Sequence, residues 1–455
     1  MIKSFIQKVV LMVAVFAFAK AYTQEIPASL LSKDDAVALM LENNFGIKLV
    51  NNNVAIAENN TDLLNSGYLP SVFFLGGANF DRTNTNVDFG GALNQDGTVR
   101  EDVVINGAET TRYNASINMD YTLFDGLGRY YNFKQLKEQY NLTQLQARET
   151  IENTMVQLFS VYYEVARIEE NLNVLETALD ISRKRETRAA YQFEYGQVNK
   201  LEVLNAQVDI VTDSINVLTA RQDLRNVQRD LNVVLARALE DLRRADTTVT
   251  FVSNLLLDSY VEKAPENNVS LLQAEQDILI TDYQIKQAKG LFLPTIGLTG
   301  SYGWNRAINP ASAFFPSTTN QSNSLAVGAN LRWNLFDGGA SMVGLKNAKI
   351  TLENQQLAKE QLQQQVYRDI ANARGSYKNA LAIYELQAQN VATTQANFER
   401  SEERLKLGQI TSIEFRQAQL NLLNALTTKN AAKYTAKLAE LQLLQLTGQL
   451  LNVTF

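Results

Sequence analysis

The residue types that usually carry catalysis are scarce in this chain. Its 455 residues include no Cys and no His, which removes the thiol nucleophile, the imidazole base, the disulfide and the usual zinc ligand set. Carboxylates remain. The adjacent acids Asp34-Asp35 and Glu402-Glu403 could in principle share a proton or hold a cation. Each pair falls at a helix start or on a polar helix face, where acids serve capping and solvation. No Gly-rich phosphate loop is present. The sequence therefore predicts no catalytic residue, no metal site, no cofactor and no enzyme. The formal net charge of −6 is mildly acidic and unlike a nucleic-acid footprint.

The N-terminus has the form of a secretory signal. Lys3 and Lys8 precede an apolar core from Val9 to Ala19, and Ala19-Lys20-Ala21 is a small-x-small cleavage site. A signal peptide over 1–21 predicts a mature chain beginning at Tyr22; the other reading is an uncleaved anchor. Cleavage removes three lysines and takes the net charge from −6 to −9. No later stretch is long and apolar enough for a membrane helix, but an exported chain can still enter a bilayer as β-strands.

The elements that position everything else come twice. Glu42-Asn43-Asn44 recurs as Glu266-Asn267-Asn268, and Leu69-Pro70 as Leu293-Pro294, both at an offset of 224. Leu123 to Gly126 (LFDG) recurs as Leu335 to Gly338, Gly196-Gln197 as Gly408-Gln409, and Glu202 as Glu414, all at 212. Two constant offsets in fixed order mark a duplication; the difference of 12 sits in a loop that is longer in the first copy. The predicted grammar of each copy is a helix, a Leu-Pro stop, two strands, and a long helical hairpin reversed at a Gly. The expected divisions are 22–240 for the first repeat, with strands 71–80 and 113–124 and hairpin 127–240. A linking segment follows over 241–267. The second repeat covers 268–455, with strands 295–304 and 325–336 and hairpin 339–448.

The strands alternate. Asn114, Ser116, Asn118, Asp120 and Thr122 interleave with Ala115, Ile117, Met119, Tyr121 and Leu123. Leu325, Val327, Ala329, Leu331 and Trp333 interleave with Gly328, Asn330, Arg332 and Asn334. Phe73 and Leu75 break the pattern in the first strand. Strands of about ten residues suit a tilted membrane span, and Tyr121, Tyr302, Trp304 and Trp333 suit the aromatic girdles of a barrel. A soluble sandwich with one apolar face fits the alternation equally well. No Pro falls between Pro70 and Pro265 or after Pro316, so long helices run unbroken. Leu158, Val161, Val165, Ile168, Leu172, Leu175 and Leu179 form a 3-4 heptad seam.

Four strands cannot close a barrel, and open edges in lipid cost several kcal/mol per unpaired backbone group. The strands are expected to be pooled among copies, and three copies give about twelve strands with room for a pore. Polar 81–112 and 305–324 are expected as extracellular loops.

Taken in order, Ala36 to Asn44 (AVALMLENN), Gly67 to Pro70 (GYLP), Phe336 to Gly339 (FDGG) and Arg404 to Thr411 (RLKLGQIT) followed by Glu414 resemble the TolC-type outer-membrane efflux family over nearly the whole mature chain. The resemblance implies a mixed α and transmembrane-β fold. It implies a homotrimer whose twelve-stranded barrel, four strands per chain, sits in outer-membrane lipid. That barrel would be continuous with a long periplasmic α-helical coiled-coil barrel. A periplasmic adaptor and an inner-membrane pump would dock at the helical end. The chain would be a passive exit duct; a periplasmic coiled-coil adaptor or structural protein without a pore is the alternative.

By the same resemblance, the turns Tyr195, Gly196, Gln197, Val198 and Leu407, Gly408, Gln409, Ile410, Thr411 would contact the adaptor. Glu414 would stand where family members place an acidic gate ring. The second acidic position of that pattern is Gln417 here. The first-copy counterparts are Glu202 and Asn205. A solvated helix face is the competing reading for these four.

Overall fold

The computed structural model describes residues 30–312 and 315–453; the expected signal segment 1–21 lies outside them. In chain order the elements are β1 (Leu30–Leu31), α1 (Lys33–Asn43), α2 (Phe45–Asn60), β2 (Ser71–Val87), β3 (Val103–Asp125), α3 (Gly128–Glu194), α4 (Lys200–Val234), β4 (Arg244–Ala245), α5 (Asn254–Glu262), α6 (Ala264–Asn267), α7 (Val269–Gly290), β5 (Thr295–Asn309), β6 (Thr318–Arg332), α8 (Ala340–Lys406) and α9 (Ser412–Leu446). Helices α3 and α8 have 67 residues each, and α4 and α9 have 35 each. Each member of a pair starts 212 residues after its counterpart, at 128 and 340 or at 200 and 412. Among the described residues, no helix is long and apolar enough to cross a membrane.

The described chain falls into two compact units, and each draws on both sequence repeats. One contains 30–52, Leu145–Gln273 and 360–453; the other contains Asn53–Gln144 and Ala274–Lys359. Heptad seams pair helices far apart in sequence, so compactness follows the packed bundle and not the chain order.

The first unit is helical. Its core joins Leu158, Phe159, Tyr162, Tyr163, Val165 and Ala166 of α3 to Ile370 and Tyr377 of α8 and Tyr434, Leu441 and Leu444 of α9. Burying each such side chain contributes roughly 1.5–3 kcal/mol. The Tyr162 hydroxyl donates to the Leu31 carbonyl (2.7 Å) and accepts from the Asp246 amide (2.8 Å). It thereby pins the parallel β1–β4 pair, Leu30 opposite Arg244, to the bundle.

The repeated Glu-Asn-Asn motif has a mechanical role here. Asn44 Oδ1 accepts from the Gly46 and Ile47 amides, and its Nδ2 donates to the Val234 carbonyl (2.8 Å) at the end of α4. Asn268 repeats this: Oδ1 accepts from the Leu271 amide and Nδ2 donates to the Leu446 carbonyl (2.8 Å) at the end of α9. One amide side chain caps one helix start and one helix end. It also interrupts the leading helix of the first repeat, which is α1, α2 and a 3₁₀ turn at Leu63–Asn65. Ser32 does cap α1, accepting from the Asp35 amide (3.1 Å) and donating to the Asp35 carboxylate (2.7 Å).

The second unit carries the antiparallel sheet β2-β3-β5-β6. The strands run further than the sequence suggests. Pairing continues to Val87–Val103 and to Asn309–Thr318, so the loops shrink from 81–112 and 305–324 to 88–102 and 310–317. The added residues are polar, but a ladder needs only backbone groups, and Thr, Val and Ile there suit an extended chain. At the other end β6 stops at Arg332, short of the expected 336. Its last pair is Thr295–Arg332, because Pro294 leaves β5 no earlier residue to pair. Trp333 therefore lies just past the strand and donates its indole N–H to the Phe292 carbonyl (3.1 Å).

The FDG motifs are exits from strand to helix. Asp125 accepts from the Arg129 amide (2.9 Å) at the start of α3, and Asp337 accepts from the Ser341 amide (2.9 Å) at the start of α8. Gly126 and Gly338 take φ of 67° and 72°. At Gly126 a Cβ would also stand 2.3 Å from the Gly290 carbonyl oxygen, so only Gly fits.

Candidate functional site

Cross-strand register assigns every sheet residue to a face. Asn114 stands opposite Gly77 and Asn305, Ser116 opposite Leu75 and Gly303, and Asn118 opposite Phe73 and Ser301. With Thr299, Gly328, Ala326 and Ser324 these form a face that is polar or small except for Phe73 and Leu75. The other face carries Val72, Phe74, Phe80, Ile117, Met119, Tyr121, Leu298, Tyr302, Trp304, Leu325 and Val327. Phe74, Leu325 and Val327 are 66%, 75% and 82% exposed, far beyond what a water-facing sheet carries without a partner. Tyr302 and Trp304 are on this apolar face, each paired to both neighbours. Strands β2 and β6 each have one unpaired edge.

The helical turns are built alike. Gly196 and Gly408 both have φ of 70°. Gly196 N–H bonds to Phe193 O and Gln197 N–H to Gln192 O; Gly408 and Gln409 repeat this with Leu405 and Arg404. Both are Schellman ends, which require a left-handed residue. Tyr195 and Leu407 are exposed at the tips. The return helices start differently. Asn199 only accepts from the Glu202 amide (3.2 Å). Thr411 and Glu414 form a full capping box: Thr411 Oγ1 accepts from the Glu414 amide (3.2 Å), and Glu414 Oε2 accepts from the Thr411 amide (2.7 Å) and hydroxyl (2.9 Å). These bonds, the backbone one first, hold the Glu414 carboxyl below its ordinary value.

Three of the four gate candidates come together within one chain. Glu202, Asn205 and Gln417 line a groove of about 320 Å³ with Arg185, Asp209 and Arg416. Glu414 is exposed and is not part of that lining. Gln417 donates to the Asn421 side chain (2.8 Å).

Beneath the groove lies an ionic cluster that the sequence did not reveal. Arg416 of α9 reaches both oxygens of Asp213 on α4 (2.7 and 2.9 Å) and Ser182 Oγ of α3 (3.2 Å). Ser182 donates to Asp213 (2.6 Å), and Arg185 pairs with Asp209. Asp213 is 3% exposed and Ser182 fully buried. Arg416 is held above its ordinary value by Asp213 and Asp209, against the opposing cost of burial. Pairing of residues some 200 positions apart leaves no local signal.

The two segments 36–237 and 260–449, carrying the turns and the sheet, match the family model described as outer membrane efflux protein. The chain belongs to the outer membrane efflux protein family. Among curated relatives, the outer membrane efflux protein BepC of Brucella suis biovar 1 is 20% identical over 334 residues, 73% of this chain and 72% of that protein. The outer membrane protein TolC of Escherichia coli K12 is 21% identical over 361 residues, 76% and 71% of the two chains. The fold matches the Campylobacter jejuni CmeC outer membrane channel with TM-score 0.70 at 18% identity, over 92% of this chain and 85% of that one. A CusC structure matches with TM-score 0.71 at 17% identity over 91% of each. The efflux protein is thus an outer-membrane protein.

Proposed function

We propose that this protein is the passive outer-membrane exit duct of a tripartite export system, working as a homotrimer with a periplasmic adaptor and an inner-membrane pump. Three chains contribute β2, β3, β5 and β6 each to a twelve-stranded barrel in outer-membrane lipid. The duplicated hairpins α3–α4 and α8–α9 form a periplasmic helical barrel. The chemistry is conduction and not catalysis, and the energy comes from the pump.

The observation that carries this reading is what one chain leaves unfinished. The sheet has an apolar face and two unpaired edges, untenable in lipid until closed. On α4, Leu201, Leu204, Val208, Val211, Ile215 and Leu218 follow 3-4 spacing and are 47–64% exposed, a coiled-coil seam without its partner helix. A second chain meets both demands. An adaptor without a pore has no need of the sheet.

The exposed tips at Tyr195 to Val198 and Leu407 to Thr411 are the adaptor contacts in this reading. Glu414 is the one acid of the family's gate pattern; one of its oxygens is committed to the capping box and the other is free to face an axis. Planar-bilayer recording tests the duct. Purified protein is expected to give stable KCl conductance steps, and a chain that assembles but never conducts would contradict it.

A further inference from the structure

Two neighbouring clefts, each open to solvent, lie among α3, α8 and α9 of the helical unit. The first, about 340 Å³, is walled by Lys184, Arg185, Arg188 and Lys406, with Glu402 as its one acid. Its remaining lining is Ile181, Leu405, Phe398 and Phe415; the two Phe rings meet at 5.3 Å between centroids. The second, about 210 Å³, shares Ile181 and Phe398 with the first and continues along Val174, Ala178, Leu422 and Leu426. A cationic chamber therefore adjoins an apolar one across two common side chains. Together they are of the size that holds a small organic molecule.

The cations of the first chamber are unevenly compensated. Lys184 and Lys406 pair with Asp180 (2.6 Å) and Glu402 (3.0 Å) on the surface, where such pairs are weak. Arg188 spends one nitrogen on the Leu405 and Lys406 carbonyls (3.1 Å each). Arg185 is 6% exposed. It reaches Asp209 through one nitrogen, a carboxylate that Arg416 also approaches at 3.5 Å. Its Nε and Nη1 are buried without a hydrogen-bond partner. Burial lowers its pKa from the ordinary value, against the pull of Asp209. Orphaned buried guanidinium N–H groups are costly and rare; the charge that faces the cleft comes from Arg188 and the two lysines.

We propose that this double cleft binds an amphiphilic organic anion, its carboxylate or sulfonate head among Arg185, Arg188 and Lys184 and its ring or alkyl body across Ile181 and Phe398 into the apolar chamber. A metal cation is disfavoured by four like charges against one acid. A bare inorganic anion leaves the apolar chamber unused. Every residue named comes from one chain, and the test reads binding rather than conduction. An anion seated there ties α3 to the α8–α9 turn.

The test uses the full chain in lipid nanodiscs, titrated calorimetrically with 2-naphthoate and with neutral 2-naphthamide of the same shape. One naphthoate per chain is expected, bound at least tenfold more tightly than the amide. The double variant Lys184→Gln/Arg188→Gln changes partly exposed side chains; it is expected to weaken naphthoate at least tenfold and leave the amide unchanged. Leu422→Gln, which puts an amide into the apolar chamber, is expected to weaken both probes. Equal affinity for naphthoate and naphthamide would overturn the proposal, because it would mean partition into lipid or apolar surface. Unchanged naphthoate affinity in the double variant, with the wild-type circular dichroism retained, would overturn it as well.

Discussion

The two return helices α4 and α9 have the same length and stand 212 positions apart, yet their surroundings differ. Helix α9 is packed from two directions: Gln419 donates to the Ala178 carbonyl of α3 (2.9 Å), and Phe415 meets Phe398 of α8. Its Phe415, Ala418, Leu422 and Ala425 are buried. Helix α4 is held through Asp213 to Ser182 of α3 and Arg416 of α9, and through Arg221 to Glu176 of α3 (2.7 Å). Its other side shows the open Leu and Val seam. The counterpart strands β3 and β6 differ in the same way: β3 is paired on both sides, and every residue of β6 is exposed. A duplicated sequence thus yields two unequal halves. The inner elements finish their packing within the chain, and the outer ones carry the same kind of surface to an edge that one chain leaves open.

The sharpest way to break this contrast is to charge the open seam. Leu204→Asp with Val211→Asp is expected to dissociate the oligomer, because burying an unpaired carboxylate costs several kcal/mol. Particle mass in detergent should fall to that of one chain. A mass unchanged from wild type would mean that the seam faces water.

Within the finished core, two adjacent tyrosines should respond oppositely. Tyr162 holds two backbone groups, whereas the Tyr163 hydroxyl is buried without a partner. Tyr162→Phe is expected to cost about 1–3 kcal/mol in denaturant unfolding. Tyr163→Phe is expected to be neutral or stabilising. Equal losses would show that the hydroxyl bonds are not what fixes β1 and β4.

The turns offer a smaller effect. Gly196→Ala and Gly408→Ala each force a Cβ into the left-handed region, at about 1–2 kcal/mol. Thr411→Ala removes the cap of α9 at about 1 kcal/mol. The box has a pH signature as well. The Glu414 carboxyl is held below its ordinary value of 4.5. Its contribution is therefore complete above about that pH and disappears as the pH falls through the lower folded-state value. Amide-exchange protection at Thr411 should follow that course; protection lost already at pH 6 would contradict it.

The smallest expected change concerns ions. Glu414→Ala should reduce cation selectivity and divalent block in bilayers at low salt, and Gln417→Asp should strengthen block by adding a second acid ring. If Glu414→Ala alters only the stability of the turn, its work is confined to the capping box.

Much of this was legible in the residues. Fixed offsets gave the element order, the absence of Pro gave the long helices, and alternation gave the strand faces, Phe73 and Leu75 included. The Thr411-x-x-Glu414 spacing already held the capping box, although the resemblance drew attention to Glu414 as a gate residue. Strand ends were not legible, because pairing beyond the apolar stretch uses backbone groups that any side chain permits. The Arg416–Asp213 cluster was invisible for a different reason: its members are brought together only by the packing of α3, α4 and α9. The unpaired nitrogens of Arg185 show only when every neighbour is placed.

The most direct test of the central claim, that one chain is an unfinished third of the duct, is the protein mass of the wild-type particle by light scattering in detergent. About three chains per particle are expected. A monodisperse single chain that still inserts into bilayers and conducts would contradict the claim.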